Sequence, residues 1–495
     1  MQFCFCMEIK VSHFCNSLTR LGVSSSSVRE GEERVVIREE DRISSLPDPL
    51  LCHILSFLTI DEAVWTSVLS SRWRHLWKWV PRLELDSSYF PSDEVCVDFI
   101  DEFLAFQGKS YLREFKLTID HDVFYSDVSL YEPCLGRVDM RKIERFQVEN
   151  RFEKLSVDNI ATPLTLSACE ALVCLKLHFV RLNEFVSLSL PCLKIMYLED
   201  VVLPSDAAAE ALISSSQVLE VLKISLSRDD VVVALRVCST SLKSFNLKGV
   251  ERCYVCGHYS VLIDAPKLEY LSLMDYYHFR SFEITSMAAD SVKVDIDFII
   301  PCNCSYDSEM KVLYNLLNSF SRVEDVTMSW RTLVFIYSLN HKDPLPKFHG
   351  LTRLRATMCL NTLPDLLPIV LKTMPNLKHL SLITICLNEL FLDLWFGRLS
   401  EFSTVLPRCL VSSLESVELE SPVTEIATPE LDLARYFMKN STKLKKLVLR
   451  LNHQSSTGGK HKPDGVLEQL IESPRRSSLC QFEVIPVVPT RKSTV

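Results

Sequence analysis

Glycine is scarce in this chain, 11 of 495 residues. No Gly-rich loop able to cradle a nucleotide phosphate occurs, and neither HExxH nor GxSxG is present. Gly108-Lys109-Ser110 ends like a phosphate-binding loop, but Phe103 stands where that motif needs its first glycine. No apolar run reaches the ~18 residues that a membrane-spanning helix needs. The opening MQFCFCMEIK has no basic segment and its apolar stretch breaks at Glu8, so a secretory leader is not expected. Positive charge is also short: 54 Lys and Arg against 63 Asp and Glu leave a net charge of −9. That balance gives no general attraction to nucleic acid or an anionic membrane, and neither is expected as a partner.

A disulfide framework is missing as well, although cysteine is not. The 18 cysteines are scattered from Cys4 to Cys480, mostly inside apolar runs. Such cysteines behave as small buried hydrophobes, and the reading is reduced thiols in a cytoplasmic or nuclear protein. Cys253, Cys256 and His258 have ligand-like spacing, and Cys302 and Cys304 follow. A zinc site needs four converging ligands, so core or loop cysteines are expected and no metal or other cofactor.

What is present begins with tryptophan. The stretch SVLSSRWRHLWKWV, residues 67–80, holds Trp73, Trp77 and Trp79, half of the chain's six, with Arg72, Arg74, His75 and Lys78 between them. From Asp41 onward the text parses as three short helices. Leu46-Pro47-Asp48 opens the first, with Pro in the first turn and an acid at the dipole's positive end. Leu50, Leu51, Ile54, Leu55 and Leu58 follow at 3, 4 spacing. Asp61 is expected to cap a second helix running through Val68. A third helix places Trp73, Leu76, Trp77 and Val80 on one side and ends at Pro81. Because the tryptophans share the apolar side, the basic residues do not make a nucleic-acid site. The segment reads either as a small helical core with a solvated basic face, or as a unit of about 45 residues, too small to bury all of this surface, that presents part of it to a partner.

These residues carry a resemblance. Residues 41–86 resemble the F-box of plant F-box/leucine-rich-repeat proteins. The pattern I-S-x-L-P-D-x-L-L-x-x-I-L-S-F-L runs from Ile43 to Leu58, and S-V-L-S-x-R-W-R-x-L-W from Ser67 to Trp77. Ser71 stands where the family usually has Lys and Trp65 where it usually has Arg. The resemblance implies binding to the Skp adaptor of cullin–RING ubiquitin ligases. By position it puts Leu46, Pro47, Ile54, Leu55, Leu58, Val64, Val68, Trp73, Leu76 and Trp77 at that contact or in the core behind it.

After Asp86 a pattern L-(K/E)-x-φ-x-(L/I) returns, beginning at Leu172, Leu193, Leu219, Leu242, Leu268, Leu377, Leu414 and Leu444. Weaker copies lie at 113–119, 291–297, 323–328 and 351–356. Each reads as a short strand with period-2 alternation. The steps from Leu172 to Leu268 are 21, 26, 23 and 26 residues, as the numbering shows, within the leucine-rich range. Helix-sized pieces at 206–217 and 363–375 fill two spacers. The fold expected is α/β: a three-helix F-box, then an irregular leucine-rich-repeat solenoid with strand plus helix per repeat, strands on its concave side. The leucines belong to the core. Target binding is expected at outward positions of the strands: Lys176, Tyr197, Lys223, Asn246, Tyr270, Ser272, His379 and Ser381.

Residues 405–483 resemble the FBD domain that follows leucine-rich repeats in many plant F-box proteins, through 405–419, 433–451 and 473–484. The stretch ESPVTEIATPELD, residues 420–432, departs from its usual glycine-containing segment. The expected divisions are a disordered extension 1–38, F-box 39–86, repeats 87–404, FBD 405–484 and a flexible tail 485–495. Taken together, the resemblance implies the substrate-recognition subunit of a Skp–cullin–F-box ubiquitin ligase. It holds an adaptor at one end and an unknown target protein on its repeats, with no catalytic residue of its own. The competing expectation is a repeat scaffold whose F-box no longer engages the adaptor.

Overall fold

The computed structural model describes residues 43, 45–106, 112–120, 128–151, 162–166, 168–185, 187–226, 232–249, 259–275, 279–288, 290–299, 307–339, 345–359, 363–385, 406–421, 428–452, 470 and 472–487. They fall into two compact units that divide between Tyr197 and Leu198. Residues 1–38, Gly108 to Ser110, the Cys253–His258 segment, Cys302 and Cys304 lie outside the described residues.

The first unit opens with helix α1, Asp48–Leu55, entered through extended Pro47. Helix α2 covers Ile60–Trp65. Its cap is Thr59 rather than the expected Asp61: the Thr59 hydroxyl accepts from the Glu62 N–H while the Glu62 carboxylate accepts from the Thr59 N–H. Reciprocal capping of this kind requires Glu three residues after the cap, and only Thr59 has it. Asp61 instead lies in the first turn, where its charge suits the helix dipole. A 3-10 turn, Thr66–Val68, follows.

The expected third α-helix is a 3-10 helix, Trp73–Trp79. The Trp77 indole N–H donates to the Arg74 carbonyl at 3.2 Å. Val80 is extended ahead of Pro81, as the pyrrolidine demands, so the helix has no room to lengthen.

The chain then passes directly into a parallel ladder. Strand β1, Arg82–Asp86, pairs with β2, Glu114–Ile119, which pairs with β3, Arg145–Asn150. A small two-stranded sheet joins β4, Thr162–Leu164, to β6, Val180–Leu182, while β5, Cys174–His178, extends the main ladder beside β3. Thus the last five residues of the expected F-box segment are already repeat strand. Helix α3, Asp93–Phe106, lies between β1 and β2 in sequence and buries Cys96, Phe99, Ile100, Phe103 and Leu104. Helix α4, Tyr131–Leu135, sends the fully buried Tyr131 hydroxyl to the Asp93 carboxylate, pinning the start of α3. Strand β7, Ile195–Val201, contains the division between the units.

The second unit begins its regular elements with helix α5, Asp206–Ser214, capped by the Ser205 hydroxyl. Its strands are β8 (Val221–Leu226), β9 (Ala234–Cys238), β10 (Ser244–Lys248), β11 (Tyr259–Asp264), β12 (Tyr270–Asp275), β13 (Phe279–Ser286) and β14 (Lys293–Phe298). Then come helix α6 (Asp307–Ser319), β15 (Asp325–Met328), helix α7 (Trp330–Leu339), β16 (Arg353–Cys359), helix α8 (Leu363–Lys372) and β17 (His379–Ile385). Helix α9 (Arg408–Ser412), β18 (Ser416–Ser421), helix α10 (Thr428–Asn440), β19 (Lys446–Asn452) and β20 (Gln481–Val487) close it. Strands β8, β10, β12 and β14 to β20 form one parallel ladder in that order.

Every leading leucine of the strong repeats is buried, as are the alternate strand positions that follow it, for example Leu219, Leu222 and Ile224. Burial of one such side chain is worth about 1.5–3 kcal/mol. The residue after a leading leucine donates its N–H to the preceding repeat, as Lys243 does to Glu220 and Lys378 to Thr352, both at 2.9 Å. Spacers 206–217 and 363–375 are helical as the pattern suggests. Three others return as strands: β9, β11 and β13 form a second parallel sheet. Strands β18 to β20 continue the repeat ladder without a break, and Ile485–Val487, expected in a flexible tail, belong to β20.

Candidate functional site

Helix α1 is apolar on two sides. Leu51 and Leu55 are fully buried, while Leu50 and Ile54 (i, i+4) share another face and remain 49 and 42 % exposed, and Phe57, in the turn after the helix, is 76 % exposed. Val68 and Leu69, on the 3-10 turn after α2, are each 65 % exposed. The segment leading into α1 is held by Arg72, whose guanidinium reaches the Asp48 carboxylate at 2.7 and 2.9 Å and the Leu46 carbonyl at 2.5 Å. That fork ties residues 24–26 positions apart and fixes the angle at which Pro47 starts the helix.

The ten adaptor candidates therefore divide. Leu55, Val64, Trp73, Leu76 and Trp77 are buried. Pro47, Ile54 and Val68 are exposed, with Leu46 and Leu58 half-buried. Residues that the positional reading passed over join the exposed set: Leu50, Phe57 and Leu69. An exposed apolar residue at helical spacing beside a buried one cannot be distinguished from core by periodicity alone.

The buried set faces the first repeat. Trp77 stacks on Phe99 and Phe103 of α3, at centroid distances of 5.6 and 6.0 Å. Trp79 meets Phe106 edge-on at 5.3 Å. Lys78 lies over the rings of Trp77 and Phe106 and pairs with Glu102 at 2.6 Å. The Arg82 guanidinium donates to the Leu58 carbonyl at 2.7 Å. The three-helix module and the start of the ladder in this unit thus share one core, while Leu50 and Ile54 of α1 remain exposed.

The outward strand positions form registered rows. In the first unit, Lys116, Gln147 and Lys176 are successive neighbours, and the Lys176 ammonium lies 5.0 Å from the Tyr197 ring. In the second unit Lys223, Asn246 and Ser272 make one row, which continues through Asp295, Thr327 and Arg355 to Ser381. Lys223 pairs with Glu199 at 2.9 Å. Tyr270 and His379 lie in the row two residues earlier, both exposed. The Tyr270 hydroxyl donates to Asp295 at 3.4 Å. The expected target positions are thus outward but belong to two units and two rows. Asp295, Arg353 and Arg355 are equally outward and come from the weaker repeat copies.

Burial, then the nearby Asp297 charge, raise the Asp295 carboxyl above its usual range against the opposing Tyr270 hydrogen bond and Arg355 charge. Burial, followed by the Arg353 guanidinium, lowers His379. Burial pushes the Cys96, Cys134 and Cys409 thiols up to about 12, so these cysteines are poor nucleophiles at neutral pH. Among the described residues no group of three or more His, Cys, Asp or Glu is placed to hold a metal ion. No described helix is long and apolar enough to cross a membrane.

Comparison with known proteins agrees with this layout. Residues 43–85 match the F-box domain, residues 138–294 the leucine-rich repeats described for the FBD-associated F-box protein At5g56370, and residues 403–449 the FBD domain. The chain is 60 % identical over 457 residues to the F-box/FBD/LRR-repeat protein At5g18770 of Arabidopsis thaliana, covering 91 % of this chain and 93 % of that one. It is 51 % identical over 449 residues to the FBD-associated F-box protein At5g18780 of the same plant, covering 90 % and 98 %. A further relative there, the FBD-associated F-box protein At5g22730, is 37 % identical over 463 residues, covering 90 % and 94 %. The chain belongs to the F-box/FBD/LRR-repeat protein family of plants.

Proposed function

We propose that this protein is the target-recognition subunit of a Skp–cullin–F-box ubiquitin ligase, working in the cytoplasm or nucleus. The observation that carries the proposal is the division within the F-box. Its tryptophans close a core with α3, while Leu50, Ile54, Phe57, Val68 and Leu69 are left facing outward with no role in that core. Exposed apolar residues on so small a module mark a protein interface, and the occupant is a Skp-type adaptor. The proposed segments are an F-box at 39–86, repeats at 87–404 and an FBD region at 405–484 that serves as terminal repeats.

The mechanism is positional. The adaptor brings the cullin–RING assembly to one part of the chain, and outward strand positions of the repeats hold the target. Ubiquitin transfer to the target then proceeds at raised effective concentration. The chain's side chains lower no chemical barrier.

The test is capture of a purified Skp adaptor by the full-length chain, compared with Ile54→Asp and Val68→Asp variants. Capture by the wild type, lost in both variants while circular dichroism and melting stay unchanged, supports the proposal. A folded wild-type chain that captures no adaptor overturns it and leaves a repeat scaffold without ligase function.

A further inference from the structure

Three cations on the outward face of the second unit's ladder have a carboxylate at ion-pair distance. Arg450 pairs with Glu418, Lys446 with Glu483 at 2.8 Å, and Lys223 with Glu199 at 2.9 Å. Strand β16 carries two outward cations. Arg353 and Arg355 are both exposed, two residues apart on the same face, and neither has a carboxylate within ion-pair distance among the described residues. Asp325 is the register neighbour of Arg353 on β15 but lies outside that distance.

The neighbours of this pair suit an anion. Thr327 on β15 and Ser381 on β17 flank Arg355 in register, each about 4.8 Å away across the ladder, and each hydroxyl can donate. His379 flanks Arg353 on β17. Two outward guanidiniums at alternate positions lie roughly 6.6 Å apart along the strand, since each residue rises about 3.3 Å. Alternate side chains of any extended segment have the same spacing. Two like charges left side by side repel one another, and two opposing carboxylates at matching spacing relieve the repulsion.

We propose that the outward face of β16, flanked by Thr327 and Ser381, binds an extended segment of the target protein that carries carboxylates at alternate positions. The inference rests on the target-receptor reading and names the chemistry of the target. Carboxylates fit better than one phosphate for two reasons. The positive charge is divided between two separated forks rather than focused on one point. Asp325 beside Arg353, and Asp295 two strands from Arg355, also oppose a concentrated dianion and a longer acidic run.

The proposal is tested by fluorescence anisotropy on the purified full-length chain, using a short labelled peptide with a Glu-Thr-Glu core. Comparison peptides carry Gln-Thr-Gln or a single phosphoserine in that core. The variants are Arg353→Gln, Arg355→Gln and, as a charge-matched control on β10, Lys248→Gln. All three change exposed or half-exposed side chains, and unchanged melting confirms the fold of each. The expected result is saturable binding of the Glu-Thr-Glu peptide that weakens with added salt. Each arginine variant weakens it about tenfold, in line with loss of a charge-assisted hydrogen bond, and Lys248→Gln leaves it unchanged. Equal binding of the Gln-Thr-Gln peptide overturns the proposal, as does a preference for the phosphoserine peptide. So does a wild-type chain that shows no saturable binding, or binding that the arginine variants leave intact. Adaptor capture is measured on the same preparations. Adaptor capture without peptide binding sinks the acidic-segment proposal alone; peptide binding without adaptor capture sinks the ligase reading and leaves the β16 site standing.

Discussion

Trp77 lies flat against Phe99, with ring centroids 5.6 Å apart and ring planes 8° from parallel. One ring belongs to the F-box motif and the other to a helix inserted between the first two ladder strands. The contact makes Trp77 a joint between two parts of one core. Trp77→Ala is expected to cost about 3–5 kcal/mol of stability, the range for removing a buried large aromatic. Urea unfolding followed by tryptophan fluorescence measures it. An unchanged midpoint would mean that Trp77 does not carry the joint.

The exposed apolar residues of α1 and the turn after it behave in the opposite way. Phe57 is 76 % exposed and touches the His53 ring edge-on at 5.0 Å. Phe57→Asp leaves that position hydrated and is expected to change the unfolding midpoint little, within about 0.5 kcal/mol. Adaptor affinity is expected to fall by about 2 kcal/mol or more, roughly thirtyfold, if Phe57 is one of the few side chains that dominate the interface. Calorimetric titration of adaptor into wild type and variant reads the difference. Loss of stability and affinity together would instead place Phe57 in the core.

Gly350 precedes β16 and donates its N–H to the Ser321 carbonyl at 2.8 Å. A Cβ placed there comes within 2.3 Å of the Arg322 carbonyl oxygen and 2.5 Å of its carbon. Both are backbone atoms and cannot swing aside. Gly350→Ala is therefore expected to destabilise by about 1–3 kcal/mol, the range for an overpacked site, and a lowered melting temperature of the full chain is the readout. In a sequence this poor in glycine, a position with no space for Cβ is a strong constraint, and here it fixes the strand that presents Arg353 and Arg355.

How much of this was legible beforehand depends on how far each signal depends on local pattern. The family, the mixed α/β class and the strong strands follow from an uninterrupted motif and from leucines recurring at repeat spacing. The cap of α2 was legible too, since Thr59 and Glu62 stand three apart, but Asp61 is an equally good capping residue type and drew the assignment. Core and exposed residues of the F-box are not separable by periodicity, because Leu50, Leu51, Ile54 and Leu55 give α1 apolar side chains on more than one face and Phe57 and Leu58 continue the apolar run past its end. The 3-10 form of Trp73–Trp79 is not encoded in its periodicity, which places Trp73, Leu76, Trp77 and Val80 as an α-helix would. Strands β9, β11 and β13 were missed because they lack the leading leucine of the repeat. Arg353 and Arg355 carry no signal of their own, because LTRLRA is only a weak copy of the leucine pattern.

Asp295 sits on the outward face of β14 with Tyr270, Asp297 and Arg355 around it. Its raised carboxyl makes the native state hold its proton to higher pH than the unfolded chain does. That contribution is complete below the ordinary carboxylate range and is lost as pH rises through the native value. At neutral pH the ionised group is therefore a cost. Asp295→Asn is expected to raise the unfolding midpoint slightly at pH 7 and to lose that advantage near pH 4. Urea midpoints at the two pH values decide it, and an advantage that grows on acidification contradicts the assignment.

His379 titrates with the opposite consequence. Burial comes first and the Arg353 guanidinium second in holding it below its ordinary value of 6.5; Lys378 and Lys445 act in the same direction and Glu415 against it. Below that ordinary value the unfolded chain binds a proton that the native chain does not yet hold. Native stability therefore falls as pH drops from the ordinary histidine value toward the native one. His379→Gln removes the group from both states, so its stability declines less across the same window than that of the wild type. Arg353→Gln is expected to act partway, because it removes the second cause and leaves burial. Urea midpoints for the three proteins, taken at intervals from pH 7 down to pH 5, give the comparison. Wild-type and His379→Gln curves that run parallel would show that the histidine does not titrate differently in the native state. A wild-type curve that falls more steeply, with Arg353→Gln between the two, ties the histidine to the same guanidinium proposed to seat the acidic segment.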